Sequence, residues 1–147
     1  MTVKIESLIA RFYGDMWNRW DDAAVDQVLD ADFTFRGSMG TETRGRDGWR
    51  SYRDMIRRGA PDFRNDVVEV IADGDRAAAR LLYTGHHQGP LAGMPASGRR
   101  FEYAGAAFFT SRHGRLFSAW VLGDLDSLRR QLRTDTEVHG HGADRAP

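Results

Sequence analysis

At 147 residues the chain is one domain long, and its 21 basic and 21 acidic side chains cancel to zero formal charge. That balance excludes the bulk positive surface with which proteins grip nucleic acid or an anionic membrane, and the lack of cysteine excludes disulfides, thiolate metal sites and a thiol nucleophile. An apolar fraction of 41% supports a packed core, and no apolar run approaches the ~20 residues of a membrane span.

The expectation is therefore a soluble, cytoplasmic protein with a single domain over residues 1–135 and a flexible tail over 136–147, where His139 and His141 sit in a polar terminus. Residues 4–20 are predicted to be helical, because Ile5, Leu8, Ile9, Phe12, Tyr13, Met16, Trp17 and Trp20 recur at three- and four-residue steps. Asp21-Asp22 breaks that rhythm and caps a short second helix carrying Val25, Val28 and Leu29. Phe33-Thr34-Phe35 alternates like a brief strand, and the run from Gly37 to Gly45 reads as a loop. Asp47 is the expected N-cap of a third helix with Trp49, Tyr52, Met55 and Ile56 on one face, ended by Gly59 and Pro61. Its arginines, Arg50, Arg53, Arg57 and Arg58, read as a solvated face. Arginine supplies 20 of the 21 basic residues, a bias that composition alone does not explain.

Beyond Phe63 the pattern turns to strands, at residues 67–72, 76–87, 99–111 and 116–123, with Asp73-Gly74-Asp75 and His113-Gly114 as tight turns. Residues 88–98 form a longer Gly- and Pro-rich loop, and Asp124 opens a last helix with Leu125, Leu128 and Leu132. Helices followed by hairpin-linked strands imply an α+β architecture, with helices on one face of an antiparallel sheet. In residues 99–111 both faces are apolar: Phe101, Tyr103, Gly105, Ala107 and Phe109 on one side, Ala104, Ala106 and Phe108 on the other. A sheet wetted on one side alternates apolar with polar, so the second face is expected to be covered by another copy, in a homodimer.

Candidate chemistry is sparse. There is no glycine-rich phosphate loop, no Gly-x-Ser-x-Gly and no His-Glu-x-x-His, and no metal or cofactor is expected. His86 and His87 end a strand at a glycine-punctuated loop; only one of them can face a given cavity, and spacing favours a satisfied sheet-edge histidine over a general base. Asp124 follows an apolar strand and reads either as a desolvated acid or as a helix cap. Glu102 and Tyr103 face opposite ways, and Tyr103 is suited to hydrogen-bond an oxyanion. Arg80, within an apolar strand, is expected in an ion pair.

Phe12-Tyr13, Trp17-Asn18, Asp32-Phe33, Pro61-Asp62-Phe63, Asp73-Gly74-Asp75-Arg76, Thr84-Gly85-His86-His87-Gln88-Gly89 and Trp120-Val121-Leu122-Gly123-Asp124 together resemble the SnoaL-like polyketide cyclase (ester cyclase) family, of the nuclear transport factor 2-like superfamily. The resemblance implies a cone-shaped α+β barrel, with three N-terminal helices on a curved antiparallel sheet and a short C-terminal helix. It also implies a cofactor-free cyclase that closes a polyketide-like substrate by an intramolecular aldol-type reaction, with Asp124 as catalytic acid/base and His87 at the pocket rim. The expected pocket walls are Trp17, Phe35, Tyr52, Met55, Tyr103 and Trp120. The expected partners are a small hydrophobic or polyketide-like ligand and a second copy docked on the outer sheet face, with neither nucleic acid nor membrane. The alternatives are a non-catalytic ligand-binding or dimerisation module, or an isomerase or epoxide hydrolase using the same pocket acid.

Overall fold

The computed structural model describes residues 3–133; the tail 136–147, with His139 and His141, lies outside the described residues. Helix α1 (Ile5–Arg11) runs directly into a π-helical segment, Phe12–Asn18, and is followed by α2 (Asp22–Val28), β1 (Leu29–Arg36), β2 (Glu42–Arg44), α3 (Gly45–Gly59), β3 (Arg64–Asp73), β4 (Arg76–His86), β5 (Arg100–Arg112), β6 (Arg115–Gly123) and α4 (Leu125–Leu132). The strands form one curved, unclosed six-stranded sheet in the order β2-β1-β6-β5-β4-β3. This is the expected α+β class, with one correction: β1 joins β6 in parallel, while every other pairing is antiparallel. Among the described residues no helix is long and apolar enough to cross a membrane.

The single helix expected over 4–20 widens halfway. Phe12, Tyr13, Met16 and Trp17 keep their buried face, but the backbone closes a wider ring, with Arg19 N–H donating to Gly14 C=O at 3.1 Å. Trp20 stops the helix in the left-handed region at φ 61°, and the guanidinium of Arg57 stacks 3.2 Å from the centre of its ring. Asp21 caps α2, accepting the N–H of Ala23 at 3.1 Å.

Asp47 does not cap α3. The short strand β2, inside the segment expected to be a loop, leads into the helix through Gly45 at φ +78°, so Arg44 takes the cap position. Asp47 then lies in the first turn and pairs with Arg50 at 3.0 Å. At the other end of α3, Gln88 N–H and Gly89 N–H both donate to Gly59 C=O. A Cβ on Gly59 would sit 2.6 Å from Pro90 O, so glycine is what lets the 88–98 loop lie on the helix end.

Along β5 the alternation read from sequence holds: Phe101, Tyr103, Ala107 and Phe109 are buried against the helices, and Phe108 points outward. At its N-terminal end β5 outruns β6, and there the Gln131 amide of α4 pairs with the backbone of Glu102, accepting its N–H at 2.9 Å and donating to its C=O at 2.7 Å. Glu102 itself faces solvent, and Arg80 pairs with Glu69 across the outer face at 2.9 Å.

Candidate ligand site

Between the helices and the sheet lies a cavity of about 20 Å³, room for one water-sized group. Its walls are mostly rings. Trp17 meets Tyr52 edge-on at 6.2 Å, Phe35 meets Tyr52 at 5.0 Å, and Phe63 stacks on Tyr83 at 5.7 Å. These side chains come from the π-helical segment, α3, β1, β4 and the turn before β3, so the cavity depends on the assembled fold rather than on one motif.

Its polar groups are uncharged. Ser38 Oγ and Tyr103 OH lie 3.0 Å apart, and Met39 N–H donates to Tyr52 OH at 3.2 Å. Two further polar groups on the lining, Tyr13 OH and Asn65 Nδ2, are buried and find no hydrogen-bond partner among the described residues. Burial holds the phenols of Tyr13, Tyr52, Tyr83 and Tyr103 above their usual range, so at neutral pH each is a hydroxyl and not a phenolate.

Outside the cavity, a groove of about 390 Å³ is lined by Met39, Met55, Leu91, Leu125 and Arg129, among others. Ser38 and Tyr52 line the cavity while their neighbours Met39 and Met55 line the groove. The Gly37–Thr41 turn and α3 therefore form the partition between the two. A Cβ on Gly37 would fall 2.1 Å from the Tyr52 ring, which shows how closely that turn lies on it.

The residues singled out from sequence are scattered by this geometry. Trp17, Phe35 and Tyr52 lie on the cavity wall, Met55 lies in the groove, and Tyr103 stands behind Ser38. Trp120 does not wall the cavity: it is 45% exposed on the outer sheet face, because inward and outward positions alternate and Ala119 and Val121 take the inner ones. Asp124 is exposed and caps α4, with Oδ1 accepting Ser127 N–H at 3.1 Å; among the described residues no carboxylate lines the cavity.

His87 is fully buried, yet it is turned into the 88–98 loop. Ser97 presents its N–H to Nδ1 at 3.1 Å and its hydroxyl at 2.8 Å. An N–H can only donate, so Nδ1 accepts, and Nε2 carries the proton it shares with Met94 C=O at 3.2 Å. Neither ring nitrogen is left for a reacting molecule; the imidazole pins the loop. His86 is exposed, its Nδ1 2.6 Å from Asp62 Oδ2. Among the described residues no cluster of three or more His, Cys, Asp or Glu could hold a metal ion.

Sequence reasoning passed over Ser38, placed in a loop, and Asn65, which precedes the strand start expected at Val67. Alternation carries no signal for Asn65: counted back from the half-buried Val70 and Ala72 it would face outward, and it turns inward because the register shifts between Val67 and Glu69. In the sequence Tyr13 is indistinguishable from its core neighbours, since its three- and four-residue spacing is that of the buried helix face.

The family model for SnoaL-like polyketide cyclase matches residues 7–132. No protein of curated function matches the chain significantly. Among solved structures, TsrD from Streptomyces laurentii superposes with a TM-score of 0.77 at 28% identity, over 87% of this chain and 93% of that one. IdmH from Streptomyces antibioticus, assigned as a polyketide cyclase, gives 0.75 at 26% identity, over 86% and 96%. A protein of Jannaschia sp. CCS1 assigned as a SnoaL-like polyketide cyclase gives 0.78 at 19% identity, over 86% and 90%, and that likeness is one of fold.

Proposed function

This chain belongs to the SnoaL-like polyketide cyclase family, and we propose that it takes a neutral, polyketide-like molecule between helices and sheet and holds it folded for ring closure. The observation that carries this reading is an aromatic cavity whose polar groups are all uncharged. Flat apolar walls suit conjugated carbonyl compounds. A charged ligand would lose its hydration there and find no counter-charge. Entry runs through the groove and requires the Gly37–Thr41 turn to move, since the cavity of about 20 Å³ admits only a water-sized group. The side-chain bonds that hold the turn inward are Ser38–Tyr103 and Met39–Tyr52.

Ring closure within one bound molecule gains chiefly from being held in the reactive conformer, and neutral O–H and N–H donors aimed at a carbonyl stabilise the charge that develops on it. Proton transfer by Asp124 draws no support from its position, because the carboxylate is a solvent-facing helix cap. With linear β-polyketones as substrate, Asp124→Asn is expected to bind and cyclise within about twofold of wild type. A loss of about a hundredfold or more in rate with binding intact, the size of a missing general acid or base, would restore Asp124 to the chemistry. A wild type that binds without cyclising is a holding module on the same fold, and one that does neither overturns the reading.

The outer sheet face supports a second, independent proposal, that two copies associate through it. Exposed Ile71, Phe108, Trp120 and Leu122 lie there, and among the described residues no helix covers them.

A further inference from the structure

We propose that Tyr13 and Asn65 form a receptor for the carbonyl oxygen of the bound molecule, which makes the ligand a ketone or related neutral carbonyl compound. The proposal rests on the reading of the interior as the ligand site and names the atoms that recognise it. Tyr13 stands on the π-helical segment, its ring edge-on to Phe12 at 5.0 Å and to Phe109 at 6.1 Å. Asn65 is the second residue of β3 and pairs with Tyr83 across the ladder, so its side chain points inward.

Asn18 secures that position. Its Nδ2 donates to Asn65 C=O at 2.7 Å, and its Oδ1 accepts Asn65 N–H at 2.9 Å. Both backbone groups of Asn65 are thus satisfied from the end of the π-helical segment, and the amide is left to the cavity. Tyr13 and Asn65 are each only 3% exposed, and among the described residues Tyr13 OH and Asn65 Nδ2 have no hydrogen-bond partner.

Buried polar groups without partners are rare in folded proteins and destabilise them relative to apolar side chains of the same shape. Phenylalanine and leucine would fill these two places without that penalty. What the two side chains offer instead is an O–H and an N–H on one cavity, and their complement is an acceptor carrying no proton. A carbonyl oxygen is that group. A carboxylate is disfavoured because no cation lines the cavity. Burial keeps the Tyr13 phenol protonated far into the alkaline range, so it remains a donor wherever the protein is folded.

The test uses two probes of one shape, acetophenone and ethylbenzene, which differ in a carbonyl. Binding is measured by calorimetry to the full chain and to Tyr13→Phe and Asn65→Leu. Each variant is expected to weaken acetophenone by about tenfold, the worth of one buried hydrogen bond, and to leave ethylbenzene unchanged or tighter. The Tm of Tyr13→Phe is expected to match or exceed that of wild type. Equal effects on both probes, no effect on either, or a fall in the Tm of Tyr13→Phe overturns the receptor. Failure of the wild type to bind either probe overturns the interior ligand site along with it, a distinguishable result.

Discussion

Tyr13, Tyr52, Tyr83 and Tyr103 are the chain's four tyrosines, and all are buried around the same interior. Burial raises each phenol above its ordinary value of 10.0, only partly offset at Tyr52 by hydrogen bonds from the Met39–Ser38 backbone and side chain and at Tyr103 by Ser38. The unfolded chain releases these protons near pH 10 and the folded chain does not, so the unfolded state is favoured as pH climbs beyond that point. Stability from these groups is intact below pH ~10 and declines above it. In an alkaline titration, tyrosinate absorbance is expected to stay flat through the ordinary phenol range and to appear only with the loss of far-ultraviolet dichroism. Tyrosinate forming near pH 10 while the dichroism is unchanged would place the phenols in contact with solvent and remove the closed interior. Asp124 and His87 are visible in the sequence, but their roles depend on partners that only the fold supplies. An aspartate between an apolar strand and a helix satisfies both a cap and an acid, and the choice lies with Ser127 N–H, which takes Oδ1. His87 was located correctly at the strand end, but Ser97 and Met94, ten and seven residues away, decide what its ring does.

Among the elements, the junction of α2 and α3 shows what arginine supplies at two positions, Arg50 and Arg53. Arg50 reaches Asp22 at 2.9 Å, Asp47 at 3.0 Å and Asp26 at 3.4 Å. Arg53, expected on a solvated face, is 7% exposed; it pairs with Asp22 at 3.0 Å and Asp54 at 3.2 Å while lying 4.7 Å from the Trp20 ring. A planar guanidinium can bond in its plane and stack across it, which an ammonium cannot do. The hydrogen bonds from Arg50 and Arg53 hold the Asp22 carboxyl below its usual range. In urea denaturation Arg53→Ala is expected to cost about 2 kcal/mol, from the lost packing and stacking of a buried side chain whose partners Asp22 and Asp54 remain in contact with solvent, and Arg53→Lys about 1 kcal/mol from lost stacking. Arg58→Ala, at an exposed position, should stay within about 0.5 kcal/mol. Equal costs for Arg53→Ala and Arg58→Ala would return the whole helix face to solvent. Element identity was legible because burial imprints a period on the sequence: strict alternation along β5, and three- and four-residue steps along α3. The widened turn at Phe12–Asn18 was not legible, since a π-helical turn preserves the same buried residues as an α-helical one and differs in which carbonyl each N–H meets. The cavity was not legible either, because its lining comes from six separate stretches whose inward positions must be in register.

For the whole molecule, the sheet has two apolar faces and helices enough for one. On the outer face Ile71, Ala78, Phe108, Trp120 and Arg36 stand opposite one another in successive strands, a single row across β3, β4, β5, β6 and β1. Phe108 and Trp120 lie 6.0 Å apart and the Arg36 guanidinium covers Trp120 at 4.9 Å. A parallel row runs through Glu69, Arg80, Ala106 and Leu122. Glu69 and Arg80 flank the apolar residues as an ion pair closed within the face, so a twofold copy would meet the apolar row without facing an uncompensated charge. The chain's zero net charge leaves no long-range repulsion against such pairing. Phe108, 55% exposed, lies mid-row and would be buried twice in a symmetric pair. At about 2 kcal/mol for each buried phenylalanine, its loss from both copies weakens association by roughly a thousandfold. Phe108→Glu is therefore expected to sediment as a monomer at concentrations where the wild type is a dimer, with unchanged dichroism and Tm near that of the wild-type monomer, because the side chain touches nothing in the helical layer. A wild type that sediments as a monomer at micromolar concentration, or a Phe108→Glu protein that remains dimeric, would assign the apolar row to some other contact.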